Sequence, residues 1–282
     1  MEIYDHYRID VPPTAPEDLN DILVALLDSR GFDSFGEDER GLDAFALRTL
    51  REECTAAVEE LRDKFGFTYE RTEQEDMNWN AVWEANFQPV RVGEWAGLRA
   101  GFHPPFGDSV AHELVIDPKM AFGTGHHATT WMMLDLMQDY DFAGRSVFDY
   151  GCGTGVLAIL AAKLGAGPVW AVDVEVESYL NTRENAELNG QTVDGLFHGT
   201  LADVPPLRGG WAYILANINR NVILESLASL QERLQTGGKL FISGILDGND
   251  AALVEAAAAH VNLRTLQSRE RDGWRAWVVV KD

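Results

Sequence analysis

The sequence predicts two folded units in series: a small α+β, ferredoxin-like unit followed by a doubly wound, Rossmann-like α/β domain. Three observations carry this reading. The opening stretch gives strand, helix, strand, strand, helix, strand in that order. From His112 onward, short apolar runs alternate with helical patterns, the grammar of a mostly parallel sheet covered on both faces. One of those apolar runs, Ser146 to Asp149, feeds directly into a glycine-rich turn and a helix.

Taken in order, Ile3 to Val11 alternates as a strand and is closed by Pro12-Pro13. A helix starting near Pro16 places Leu19, Ile22, Leu23, Leu26 and Leu27 on one face, and Gly31 ends it. Phe32 to Arg48 holds two glycine-punctuated strands. Thr49 to Phe65 is a second amphipathic helix, through Leu50, Cys54, Ala57, Val58 and Leu61, stopped by Gly66. Phe67 to Arg71 closes the unit, a βαββαβ order that suits a ferredoxin-like sandwich. The expected boundaries are 1–72 for this unit, 73–105 for a linker and entry segment, and 106–282 for the α/β domain. In the linker, Trp79, Trp83 and Phe87 recur at helical spacing, which reads first as packing and second as a lid; Pro89 to Arg99 reads as strand and turn.

In the α/β domain the expected strands are Ser146 to Asp149, Pro168 to Val172, Trp211 to Ala216, Lys239 to Ile245 and Trp274 to Val280. The expected helices are Gly155 to Leu164, Tyr179 to Leu188, Asn221 to Leu234 and Ala251 to His260.

Composition narrows the function. The chain has 282 residues, 46% hydrophobic and 24% charged, which is globular composition. Its formal charge of −22 opposes sequence-blind nucleic-acid binding, which depends on clustered Lys and Arg, and leaves room for a basic protein partner or a small ligand. Cys54 and Cys152 form no CxxC pair, so neither a disulfide framework nor a zinc site is indicated. Met1 to Asp5 lacks the pattern of a signal peptide, and the longest plainly apolar stretch, Val156 to Ala162, is far short of a membrane span. The expectation is a cytoplasmic chain with no membrane partner.

The sharpest chemical signal is Val147-Phe148-Asp149-Tyr150-Gly151-Cys152-Gly153-Thr154-Gly155. Glycines at a strand's carboxyl end let the backbone approach a ligand and turn sharply into a helix. A dinucleotide fold uses G-x-G-x-x-G and points its helix N-terminus at a pyrophosphate. Here the spacing is G-x-G-x-G, and Asp149 stands two residues upstream of Gly151, an unwelcome neighbour for an anion but a good one for a cationic nucleoside. Asp173, 22 residues after Gly151 at the end of the next strand, is placed to accept hydrogen bonds from ribose hydroxyls. Together the three elements describe S-adenosylmethionine binding.

The segment Asp117-Pro118-Lys119-Met120-Ala121-Phe122-Gly123-Thr124-Gly125-His126-His127-Ala128-Thr129-Thr130 resembles a loop of the ribosomal protein L11 methyltransferases. So do Asp149 to Gly155, Asn185 to Gly190, Ala216-Asn217-Ile218, and Gly237-Gly238 leading to Ser243-Gly244-Ile245-Leu246. The resemblance implies a class I methyltransferase domain behind a small domain that recognises the basic protein substrate. It implies cofactor contacts at Thr130, Gly151, Asp173 and Asn217, and Asp149 and Gly153 are expected to bind the cofactor from the same turn. It assigns Asn217 the placing of the acceptor amine, and the acceptors would be amino groups of the ribosomal protein. The sequence departs from the family at Asn219, where an apolar residue is expected, and at Val174-Glu175-Val176-Glu177, where aspartate and proline are commoner.

Plainer readings stand beside these. His126-His127 are adjacent and lack a third ligand, so they suit a metal or a base poorly. Cys152 reads as a small packing residue within the turn. Tyr4 and Phe35 fit either a recognition face or ordinary sheet packing. Rival functions are a methyltransferase for another protein or small amine, a catalytically silent cofactor-binding module, and a nicotinamide dehydrogenase, the last opposed by the glycine spacing.

Overall fold

A computed structural model describes residues 4–12, 16, 19–28, 30–38, 41–73, 88–117 and 123–282. The chain divides into two compact units, residues 1–86 and 87–282. Trp79, Trp83 and Phe87 lie outside the described residues.

Among its described residues, the first unit is a four-stranded antiparallel sheet with two α-helices: β1 (Tyr4–Asp10), α1 (Leu19–Asp28), β2 (Phe32–Asp38), β3 (Gly41–Leu47), α2 (Arg51–Phe65) and β4 (Thr68–Glu73). Strand order is β2-β3-β1-β4, with every neighbour antiparallel, the arrangement a βαββαβ chain reaches with right-handed crossovers. Period-two alternation in β1 buries Tyr7 and Ile9 against Leu19, Leu23 and Leu27 of α1 and Cys54, Val58 and Leu61 of α2. The same alternation buries Asp5 completely. It survives there because Arg51 grips both its oxygens, at 2.6 and 2.9 Å. Burial alone raises that carboxyl's pKa, but Arg51's hydrogen bond, with the charges of Arg51, Arg71 and Arg48, holds it below its ordinary value. Phe35 stacks on Phe32 and packs against this core, and Tyr4 opens β1.

The second unit begins with a small sheet, β5 (Val90–Val92), β6 (Ala96–Arg99) and β7 (His112–Val115), and continues into α3 (Ala128–Met137). Then come β8 (Val147–Tyr150), α4 (Val156–Lys163), β9 (Val169–Asp173), α5 (Val176–Leu188), β10 (Gly195–His198), β11 (Trp211–Asn217), α6 (Arg220–Arg233), β12 (Leu234–Leu246), α7 (Asn249–His260), β13 (Leu263–Arg271) and β14 (Trp274–Lys281). They build a seven-stranded sheet in the order β10-β9-β8-β11-β12-β14-β13. The stretch β10 to β12 is parallel, while β14 slots in antiparallel between β12 and β13.

Alternate residues serve opposite faces. Val147, Leu215, Phe241 and Val278 join one core with α3, α4 and the small sheet, while Phe148, Ile214, Ile242 and Trp277 join the other with α6 and α7. Elements not legible beforehand include α3, the four-residue strand β7, β10 and β13. Helix α3 is buried nearly all round, so it lacks an amphipathic period. Strand β10 is short and half-buried, and β13 is a mostly exposed edge. Asp272-Gly273, both at positive φ (51° and 76°), is the hairpin signal that announces β13 and β14 as a pair.

Candidate active site

The strand order reverses beside β8, which is where ligands bind in open α/β sheets. There Gly151, Gly153 and Gly155 adopt φ of 77°, 56° and 79°, a left-handed run that carries the chain from β8 into α4. The turn is stitched to β9, since the amides of Gly151 and Cys152 both donate to the Val172 carbonyl, at 2.9 and 3.1 Å. Gly151 is needed twice over. Beyond its φ, a Cβ there would lie 2.2 Å from Cγ2 of Ile218.

Asp173 ends β9 on the wall of a cavity of about 560 Å³, a size suited to a ligand of nucleoside-plus-amino-acid dimensions. Its Oδ2 accepts from the Gly153 amide at 2.8 Å and its Oδ1 from the Glu175 amide at 3.0 Å. A carboxylate offers about four acceptor sites, so lone pairs remain for two ribose hydroxyls.

Gly151, Gly153, Asp173, Thr130 and Asn217 all line this cavity. Asp149 is not among these lining residues. It lies 1% exposed beneath the turn, where Oδ2 accepts from the Ala158 amide at 3.1 Å and Oδ1 has no partner. Ala158 is in the first turn of α4, whose N-cap Gly155 offers no side-chain cap. Asp149 therefore occupies, from within the protein, the helix N-terminal place that a pyrophosphate takes in dinucleotide folds. Burial pushes its pKa up to about 7, with the charge of Asp173 adding to the shift.

Thr130, on the first turn of α3, meets Asn217, at the end of β11, across 87 residues of sequence: Asn217 Nδ2 donates to Thr130 Oγ1 at 3.2 Å. That bond fixes the carboxamide and leaves Asn217 Oδ1 buried without a hydrogen-bond partner. His127 caps α3, accepting from the Thr129 amide at 3.3 Å, and sets its ring edge-on to Trp274 at 4.6 Å. His127 and Trp274 also line the cavity, so an aromatic wall adjoins the Thr130–Asn217 pair. His126 points elsewhere, to Thr124 and the Gln88 carbonyl. Among the described residues, no group of three or more His, Cys, Asp or Glu is arranged to hold a metal. Cys152 is buried and receives the Thr182 hydroxyl at 3.3 Å, and burial raises its thiol pKa well above the ordinary value.

Asn219, the departure noted in the sequence, has a structural cause. Its side chain caps α6 by accepting from the Val222 amide at 3.1 Å, which an apolar residue could not do. Sequence reasoning gave Trp274 no place in the site and mentioned Ile218 and Gly244 only as motif members. Gly244 sits at φ 87°, where a Cβ would be 2.2 Å from the Ile218 carbonyl oxygen, so Gly151 and Gly244 together admit Ile218 between the strand ends.

Set beside known proteins, residues 33–282 match the family model described as ribosomal protein L11 methyltransferase (PrmA). The chain is 39% identical over 265 residues to the ribosomal protein L11 methyltransferase of Porphyromonas gingivalis, covering 91% of this chain and 89% of that protein. It is 35% identical over 277 residues to the protein of the same name from Bacteroides fragilis, covering 97% and 98%. Among solved structures, a ribosomal protein L11 methylase from Lactobacillus delbrueckii subsp. bulgaricus superposes with a TM-score of 0.61 at 27% identity, over 70% of this chain and all of that one.

Proposed function

The chain belongs to the ribosomal protein L11 methyltransferase family, and on that premise we propose how its own residues transfer methyl groups from S-adenosylmethionine to amino groups of protein L11. The acceptors in this reading are lysine side chains, with the N-terminal amine a second candidate. The observation that carries it is Asn217 on the cavity wall, its carboxamide fixed by Thr130 and its Oδ1 left without a hydrogen-bond partner.

The residues present fit the cofactor. Gly151 and Gly153 open the turn to the amino-acid portion, Asp173 has lone pairs for the ribose, and Thr130 faces the methionine end. When bound, S-adenosylmethionine supplies an electrophilic methyl group on a sulfonium. The chain must present a neutral amine to it. A lysine of pKa about 10.4 is neutral in about one part in a thousand near pH 7.4, a cost of about 4 kcal/mol, whereas an α-amine of pKa about 8 costs under about 1 kcal/mol. Carboxylates beside the amine would increase that cost by favouring ammonium. The Thr130–Asn217 pair and the His127–Trp274 wall bring no carboxylate to that end of the cavity. Asn217 Oδ1 accepts one N–H of the amine, which aims the nitrogen lone pair along the line of displacement. Transfer of the methyl group to nitrogen would release the sulfonium as a neutral thioether, and the methylated ammonium would lose one of its two N–H protons to solvent. Catalysis then rests on placement and desolvation with no obligatory base.

The first unit, with Glu52, Glu53, Glu59, Glu60, Glu70 and Glu73 among its acidic residues, is assigned the recognition of a basic ribosomal protein in the cytoplasm, without direct nucleic-acid contact. No helix among the described residues is long and apolar enough to cross a membrane. The test supplies radiolabelled S-adenosylmethionine and ribosomal subunits from a strain lacking the enzyme. Label should appear on L11 amines by mass spectrometry, and label confined to another protein would overturn the assignment.

A further inference from the structure

Two residues outside the cavity wall tie its two halves together, and neither is accounted for by ligand contact. Thr154 is fully buried between Gly153 and Gly155 in the turn. Its hydroxyl donates to the Gly123 carbonyl at 2.8 Å. Its own carbonyl accepts from Asn185 Nδ2 at 2.9 Å, and Asn185 Oδ1 accepts from the Asp117 amide at 2.8 Å. A single residue of the turn is thus connected to Asp117 and to Gly123, the described residues on either side of 118–122.

The Asp117 side is held as a strand would be held. Asn181, Asn185 and Asn189 lie one helical turn apart along α5 and its C-cap. Asn189 accepts from the Val115 amide at 2.9 Å and donates to its carbonyl at 2.6 Å, while Asn181 donates to the Asp117 carbonyl at 2.8 Å. One carboxamide matches the N–H and C=O of one residue, so this asparagine ladder replaces a missing neighbouring strand after β7. On the other side, Gly123 stands at φ 107° on the cavity wall, where a Cβ would meet Thr154 Oγ1 at 2.8 Å. From Gly123 the chain runs to His127 and Thr130, the residues that meet Trp274 and Asn217.

The geometry points to Thr154 as a positioning residue for methyl transfer: its buried hydroxyl clamps Gly123 to the cofactor turn and so fixes the acceptor end relative to the cofactor end. This inference rests on the cavity being the methyl-transfer site. Thr154 touches neither ligand; it acts through Gly123 and the segment that follows. The groups assigned to hold the cofactor, the Gly151–Gly153 backbone and Asp173, keep their own bonds when the clamp is lost. Turnover should therefore suffer more than cofactor affinity.

Two substitutions separate a hydrogen-bonding role from a packing role. Thr154→Val keeps the shape and removes the hydroxyl; Thr154→Ser keeps the hydroxyl and removes a methyl group. With saturating L11 and S-adenosylmethionine, Thr154→Val should lower kcat about ten- to a hundredfold while cofactor affinity by calorimetry stays within about threefold. Thr154→Ser should keep kcat within about threefold of the unsubstituted chain. The opposite order, valine active and serine impaired, overturns the inference, and so does a valine variant losing affinity and turnover in step. Should the valine variant fail to fold, Thr154→Ala against Thr154→Ser gives the same reading, and equal impairment of the two overturns it. An unsubstituted chain that methylates nothing brings down the assigned reaction itself, and this inference with it, before any variant is compared.

Discussion

Replacing Asp149 with asparagine tests the buried electrostatics of the cofactor turn. In the folded chain this carboxyl titrates at about 7, against an ordinary value of 3.8. The folded state therefore keeps a proton that the unfolded state releases, and stability falls as pH rises between those two values, then levels off. The full penalty is about three pH units at about 1.36 kcal/mol each, or about 4 kcal/mol. Asparagine can still accept from the Ala158 amide but cannot ionise. Between pH 5 and pH 8, the unsubstituted chain should lose about 2–3 kcal/mol more stability than Asp149→Asn. Urea titrations at the two pH values, followed by the fluorescence of the buried Trp211 and Trp277, measure the difference, because groups common to both chains cancel. Identical pH slopes would refute the argument that burial, unrelieved by a partner at Oδ1, controls this carboxyl. The same reasoning extends to binding. A cation beside the turn favours the carboxylate, so S-adenosylmethionine uptake near pH 7 should release protons, seen as buffer-dependent binding heats, and Asp149→Asn should abolish that release.

The remaining predictions address placement and recognition. Asn217→Ala should lower kcat about a hundredfold with cofactor affinity little changed, since it removes the acceptor that orients the amine; steady-state kinetics beside a cofactor titration decide this. Gly151→Ala should cost about 1–3 kcal/mol of backbone strain and weaken cofactor binding. Adding Ile218→Ala relieves the 2.2 Å contact but not the φ of 77°, so rescue of melting temperature and affinity should be partial. With a net charge of −22, kcat/KM on a basic protein substrate should fall as ionic strength rises; a flat response in stopped-time assays would leave the acidity a solubility feature.

What the sequence determined by itself is whatever local chemistry dictates. The turn from Gly151 to Gly155 was legible because left-handed φ and close approach demand glycine at fixed spacing. Asp173 was legible because it ends the next apolar run, and the βαββαβ order because alternation and helical periodicity are read within a few residues. Tertiary structure decided the rest. It brought Thr130 to Asn217 and His127 to Trp274, pairs separated by 87 and 147 positions, because α3 packs against β11, β12 and β14. It placed Asp149 under the turn instead of on the cavity wall, since a strand's alternation, not its chemistry, chooses the face. It hid α3, whose burial on all sides erases the period that would reveal it, and β13, whose exposure as an edge does the same. It also gave Asn219 to a helix cap and Thr154 to a clamp. Each depends on which backbone group stands opposite, and that is fixed only when distant segments meet.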